Sequence, residues 1–247
     1  MIRTETRDRV ARIEIARLDK KNALTADMYG AMADALAAAE SDPAVRAILI
    51  HGARDCFTAG NDLKDFLERP AGGVASPGFR FISALPKLAK PLLAAVGIGT
   101  TMLLHCDLVY AAPGARFQLP FVPLGLVPEA ASSLLLPMIA GYQRAAELLL
   151  LGRPFSAEQA LAAGIVTEIV AEDNLLEHAR AAAAAVAALP PASVRLTKQL
   201  MKRQLAAPIA AQMEEEGRLF AGRLHSGEAK EAMTAFFEKR KPDFSRF

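Results

Sequence analysis

The first third of the chain alternates between two hydrophobic periods, and that alternation limits the fold more than any other feature. Ala11, Ile13 and Ile15 are separated by Arg12 and Glu14, the period of two that a strand with one buried face requires. Thr25 then stands where it can cap a helix, and Met28, Met32, Leu36 and Ala39 recur at the spacing of one helical face. Residues 45–51 read as a second strand, rich in aliphatic and β-branched residues. Further short strands are expected at 92–96, 107–112 and 165–170. Strands separated by helices make an α/β fold.

The rest of the chain reads as helix. Ser156 and Gln159 have the spacing of a capping box, and Gly164 suits the end of that helix. From Asp173 onward the sequence is Ala-rich and periodic, punctuated by Pro190-Pro191 and Pro208. Alanine is the strongest helix former, so the run at 181–185 is assigned to helix. This divides the chain into a β/α core over 1–190 and a helical region over 191–247. The core is aliphatic: hydrophobic residues make up 52% of the 247, aromatics 6%, and Trp is absent.

Charge and cysteine usage exclude several classes. With 29 basic against 27 acidic residues, no general field favours nucleic acid or a membrane surface. Cys56 and Cys106 form neither a metal-spaced pair nor a disulfide framework. No apolar run is long enough to span a bilayer, the N-terminus lacks the apolar core of a secretory signal, and Phe244-Ser245-Arg246-Phe247 is neither a prenylation box nor a Ser-Lys-Leu-type address. A cytoplasmic location is expected.

Glu129 is the candidate for chemistry. It sits in Leu126-Val127-Pro128-Glu129-Ala130-Ala131-Ser132-Ser133, and from Phe117 to Ser133 no other side chain ionises. A carboxylate in apolar surroundings has its charged form disfavoured and moves toward the pKa range useful for proton transfer. The plainer reading is a helix start, with Pro128 in the first helical position and Glu129 in the first turn. Phe57-Thr58-Ala59-Gly60-Asn61-Asp62-Leu63 and Gly97-Ile98-Gly99 each follow a strand; they are either close backbone approaches to a ligand or ordinary turns. The spaced glycines of a dinucleotide site are missing, and so is a nucleophile elbow. The four histidines are scattered, with His105 read as a packed core residue, so no metal site is expected. Lys239-Arg240-Lys241, after Phe236-Phe237, is either a solvated helix end or a phosphate-holding patch.

Taken in order, these segments resemble the enoyl-CoA hydratase/isomerase (crotonase) superfamily over essentially the whole chain. The resemblance is carried by Asp19-Lys20-Lys21-Asn22-Ala23-Leu24, by the 57–63 segment, by Lys90 to Gly99 with Cys106-Asp107-Leu108, by Gly152 to Ala160, and by Gly164-Ile165-Val166. It implies a spiral of ββα units, a C-terminal helical region that builds a homotrimer or hexamer, an acyl-CoA thioester substrate, and no cofactor. It further implies an oxyanion hole at the Ala59 and Ile98 N–H groups. Lys20, Lys21, Ala23, Gly60, Asn61, Asp62, Leu63, Phe220, Phe236 and Lys239 are implied as substrate-binding positions.

Hydratases of this family resemble one another in two glutamates; the matching places here hold Thr101 and Phe121. Pro128-Glu129-Ala130 is instead similar to the Δ3-Δ2-enoyl-CoA isomerase branch, in which one glutamate moves a proton from C2 to C4 through a dienolate. A hydratase or another enolate-forming acyl-CoA enzyme is the alternative, and a non-catalytic acyl-CoA-binding member a further one.

Overall fold

The computed structural model describes residues 1–52, 57–62, 65, 76–98 and 101–247, with the backbone alone at 97 and 98. Leu63, Cys56 and Gly99 lie outside the described residues.

A mixed sheet forms the centre. Strand β1 (Ile2–Arg7) pairs antiparallel with β2 (Val10–Ile15) across a two-residue turn, Asp8-Arg9, both at positive φ. Such a turn matches the twist of the two strands. Strands β3 (Ala47–Gly52), β4 (Leu92–Ile98) and β5 (Leu108–Phe117) then add in parallel, in the order β1-β2-β3-β4-β5. Two short strands finish it: β6 (Phe155–Ser156) antiparallel to β5, and β7 (Glu168–Ile169) parallel to β5. Strand β3 is buried on both faces, which explains its unbroken apolar run.

Helices cover both faces. Helix α1 (Ala26–Ser41) is capped by Thr25, whose hydroxyl accepts from the Met28 N–H. Its Met28, Met32, Leu36 and Ala39 pack with Ile13, Ile48, Ile50 and Ala94, and Phe81 of α2 (Pro77–Ala84) joins them. The opposite face of the sheet, with Leu49, Leu93 and Tyr110, receives Ala179, Ala183 and Ala187 of a later helix (Leu175–Ala188). These alanines recur every four residues, and their small side chains let the helix lie close on the sheet. The Ala-rich run is therefore a packing face.

Between these lie α3 (Ser132–Ala140), α4 (Tyr142–Leu151) and α5 (Ala157–Ala162), and the Ala-rich helix is α6. The expected Ser156–Gln159 capping box is present on α5. The chain closes with α7 (Pro191–Lys202), α8 (Ala206–Leu224) and α9 (Gly227–Phe237). Pro191 opens α7 and Pro208 lies in the first turn of α8, where no helical N–H is lost. Helix α7 is tied to the sheet by buried Lys198, whose ammonium donates to Asp107 at 2.6 Å and to the Lys90 carbonyl at 2.7 Å. Among the described residues no helix is long and apolar enough to cross a membrane.

Three expectations need correction. Strand β1 was not foreseen, because its side chains are almost all exposed and show no apolar period. The strand expected over 165–170 shrinks to Glu168–Ile169. Pro128 does not open a helix either: α3 begins only at Ser132, because Ala130 (φ 61) and Ala131 (φ 54) are left-handed and cannot be helical residues.

Candidate active site

Glu129 lies at the end of a well-held approach. Beyond β5 the chain makes a 3₁₀ turn, Val122–Leu124, closed by left-handed Gly125. A Cβ at Gly125 would stand 2.6 Å from the Ala229 nitrogen, so the start of α9 presses directly on this turn. Arg223 fixes the same place, its Nε donating to the Gly125 carbonyl at 3.0 Å while its other end pairs with Glu228. The segment 126–129 leaves from this anchor.

The turn after Glu129 is strained and heavily compensated. A left-handed alanine costs roughly 1–2 kcal/mol, and here two stand in succession. Ala130 is 4% exposed and Ala131 fully buried, so water cannot satisfy their backbone. His105, in the 3₁₀ turn Thr101–His105, donates from Nε2 to the Ala130 carbonyl at 2.8 Å. Burial lowers its pKa to about 4, so the ring is neutral, with its proton on Nε2 toward that carbonyl. From α8, Glu216 accepts the Ala131 N–H at 2.6 Å, the Ser133 N–H at 3.0 Å and the Ser133 hydroxyl at 2.5 Å. The Ser132 N–H and hydroxyl donate to the carbonyl of Glu129 itself, at 3.0 and 2.6 Å.

Among the described residues no hydrogen-bond donor meets the Glu129 carboxylate. The side chain keeps part of its surface accessible, but desolvation, with the Glu216 charge second, pushes its pKa up to about 7. That value equips it both to take and to return a proton near neutral pH. Tyr29 of α1 belongs to the same neighbourhood: burial and the Glu129 charge raise its pKa, and its hydroxyl donates to Asn61 Oδ1 at 2.6 Å.

Two segments far apart in sequence are stitched together beside this point. Asn22, fully buried, accepts the Arg17 N–H at 2.6 Å, and its carbonyl accepts the Thr58 hydroxyl at 2.8 Å. The Leu24 N–H donates to the Gly60 carbonyl and the Asp62 N–H to the Leu24 carbonyl, both at 2.8 Å. The Asp62 carboxylate is paired with Arg17 at 2.8 Å, which gives it a structural part. Ala23 adds its carbonyl to Arg17, while Lys20 and Lys21 are exposed.

This stitching bears on the expected oxyanion donors. The Ala59 N–H donates to the Lys21 carbonyl at 3.0 Å, so it is already spent. The Asn61 N–H, by contrast, has no protein acceptor among the described residues. Leu24 bonds the carbonyl of Gly60 and the N–H of Asp62, which leaves Asn61's own N–H directed away from residues 21–24. Ile98 is the last residue of β4, in register with Arg116 of β5 after an irregularity beyond Val96.

The remaining expected residues are spread over the C-terminal helices. Phe220 packs partly buried against the main core, whereas Phe236 is exposed at the end of α9, followed by Lys239 in a left-handed turn. Phe121 is a core residue, and Thr101 opens the 3₁₀ turn. A separate groove of about 1090 Å³, between residues 79–89 and helices α7 and α8, has neither Glu129 nor Asn61 in its walls. Sequence reasoning missed Tyr29 and Glu216. Glu216 stands in a run of three glutamates that reads as solvated, and only its spacing from Ile209 and Met213 marks it as inward-facing.

A parallel-centred sheet with helices on both faces, and a half-buried carboxylate beside a helical C-terminal region, make this an α/β protein. The enoyl-CoA hydratase/isomerase family profile matches residues 5–246, and the chain belongs to that family. It is 33% identical to human enoyl-CoA delta isomerase 2 over 94% of its own length and 62% of that protein's. It is 34% identical to the 1,2-epoxyphenylacetyl-CoA isomerase of Escherichia coli, over 96% and 95% of the two chains. A probable enoyl-CoA hydratase of Mycobacterium leprae is 33% identical over 96% and 95%. Among solved structures, an enoyl-CoA hydratase/isomerase of Pseudoalteromonas atlantica superposes with a TM-score of 0.93 at 44% identity, covering 98% of this chain and 99% of that one. OdaA of Pseudomonas aeruginosa gives 0.92 at 48%, covering 95% and 98%.

Proposed function

We propose that the protein is an isomerase that converts a 3-enoyl-CoA to the conjugated 2-enoyl-CoA, with Glu129 as the proton carrier. The carboxylate takes the C2 proton, and the electrons of that C–H bond delocalise over the double bond and the thioester to give a dienolate. The same carboxyl group returns the proton at C4, and the double bond settles between C2 and C3. No oxidant, water or second acid is consumed. The observation that carries this reading is the Glu129 carboxyl group, which meets no hydrogen-bond donor among the described residues and whose pKa is raised to about 7. Glu216, the carboxylate whose charge acts on Glu129, is instead engaged by three hydrogen bonds from Ala131 and Ser133.

The dienolate charge gathers on the thioester oxygen, where backbone donors are each worth roughly 10²–10³ in rate. We assign the first donor to the Asn61 N–H, in place of Ala59, whose N–H is occupied. The second remains assigned to Ile98 at the end of β4. Lys20, Lys21, Phe220, Phe236 and Lys239 are proposed to hold the CoA moiety. A trimer would bring the α9 end of one subunit to the site of another, with the exposed Leu196, Leu200 and Met201 of α7 as apolar surface to bury.

The test is the absorbance of conjugation when purified protein meets a 3-enoyl-CoA. Glu129→Gln should lower kcat by at least roughly 10²-fold, and Thr101→Ala should stay within about tenfold of the unmodified protein. Retained isomerisation in Glu129→Gln overturns the base assignment. Hydration of a 2-enoyl-CoA faster than any isomerisation favours the hydratase reading instead.

A further inference from the structure

We propose that Glu216 is a positioning residue for Glu129: from α8 it clamps Ala131 and Ser133, in the left-handed turn that sets the direction of the base. The inference rests on the reading of Glu129 as the proton carrier and adds a second residue to it.

The geometry supports this from several sides. Glu216 is 4% exposed, yet both of its oxygens are engaged, by the N–H of Ala131, the N–H of Ser133 and the hydroxyl of Ser133. All three donors belong to the residues that turn the chain from Glu129 into α3. Gln212, one turn earlier on α8, donates to the Ser133 hydroxyl at 2.8 Å, which leaves that hydroxyl's proton for Glu216. A carboxylate at the start of a helix also meets the positive end of the macrodipole. Burial raises the pKa of Glu216, and the three donors oppose that by favouring its ionised form. Helix α3 has no cap of its own, since its N-cap residue is Ala131. A carboxylate from a remote helix supplies the cap, and the position of Glu129 follows from it.

Electrostatics adds a second effect of the same group. The Glu216 charge makes ionised Glu129 less favourable and so strengthens it as a proton acceptor. The other groups around Glu129 do not substitute for this. Tyr29 faces it from α1 as a neutral phenol, Asn61 is uncharged, and neutral His105 meets only the Ala130 carbonyl. A merely structural cap would leave the proton affinity of Glu129 untouched, and that difference separates the two roles.

Two readouts test the proposal on the full-length protein. The side-chain carboxyl of Glu129 is followed by ¹³C NMR through a pH titration, with Glu129→Gln identifying its resonance. The pH profile of kcat/KM for isomerisation is measured alongside. In Glu216→Gln the Glu129 titration and the acid limb should both move to lower pH, by roughly one unit. kcat should fall at least about tenfold with KM for the thioester within about threefold. Ser133→Ala keeps the Glu216 charge but removes one donor; kcat should fall a few-fold, with no movement of the titration to lower pH. If Glu216→Gln folds and the Glu129 titration stays where it is, or if kcat falls only with the folded fraction, the proposal is wrong. Should Glu216→Gln not fold, an unchanged kcat in Ser133→Ala overturns it. Full activity in Glu129→Gln would instead defeat the base assignment, while the carboxyl titration still reports on Glu216.

Discussion

Replacing Glu129 by Gln is expected to make the protein more stable above neutral pH while it abolishes activity. The reasoning starts from the distance between the ordinary carboxyl value of 4.5 and about 7 in the fold. Between those values the unfolded chain has lost its proton while the folded chain keeps it. The folded state binds more protons, so stability falls as pH rises through this window and levels off above about pH 7. The full difference corresponds to ~3 kcal/mol at 1.36 kcal/mol per pKa unit. Because part of the side chain meets solvent, about half of that is expected to be realised. Gln has the same size but no charge to desolvate and none to be repelled by Glu216. For a chain of this length, ~1.5 kcal/mol corresponds to about 3–6 °C in Tm. The assay is thermal unfolding of both proteins at about pH 8 and about pH 5, at one protein concentration so that assembly contributes equally. Glu129→Gln should melt higher at the alkaline pH, and most of the gain should vanish at the acid one. An equal offset at both pH values, or a lower Tm at about pH 8, would refute the argument that burial strains this carboxylate.

Two further outcomes follow from contacts already described. Gly125→Ala sets a Cβ against the backbone of Ala229 at positive φ, and neither side can yield; a loss of about 3 kcal/mol or more in urea unfolding is expected. Lys20→Ala and Lys239→Ala should each raise KM for the thioester with kcat little changed, and the difference from the unmodified protein should shrink as salt is added.

What the sequence revealed, and what it hid, divides along the range of the interactions. Helix α1 was legible because its cap and its buried face lie within one segment, at Thr25 and at Met28, Met32, Leu36 and Ala39. The same holds for the capping box of Ser156 and Gln159. Strand β1 was not, because pairing with β2 rather than burial holds it in place. Glu129 stood out as an isolated acid, yet its local geometry was misread. Alanine favours right-handed helix, and the contacts that brace left-handed Ala130 and Ala131 include His105 and Glu216, both distant in sequence. The bond from the Ala59 N–H to the Lys21 carbonyl was hidden for the same reason, since it depends on how residues 57–62 align with 21–24.

The span between Glu129 and its clamp also sets an order of events during synthesis. Ala131 and Glu216 are 85 residues apart. At a synthesis rate of about 5–20 residues per second, the ribosome needs ~4–17 s to make the stretch between them. Throughout that interval strands β1–β5 and helices α1 and α2 are complete in sequence, but the turn after Glu129 lacks the contact from α8. If Glu216 positions Glu129 as proposed, the nascent chain has no directed carboxylate while its core assembles and gains one only when α8 docks. A truncated product ending before that helix would carry every residue of the proton-transfer reading and still have no fixed direction for the proton.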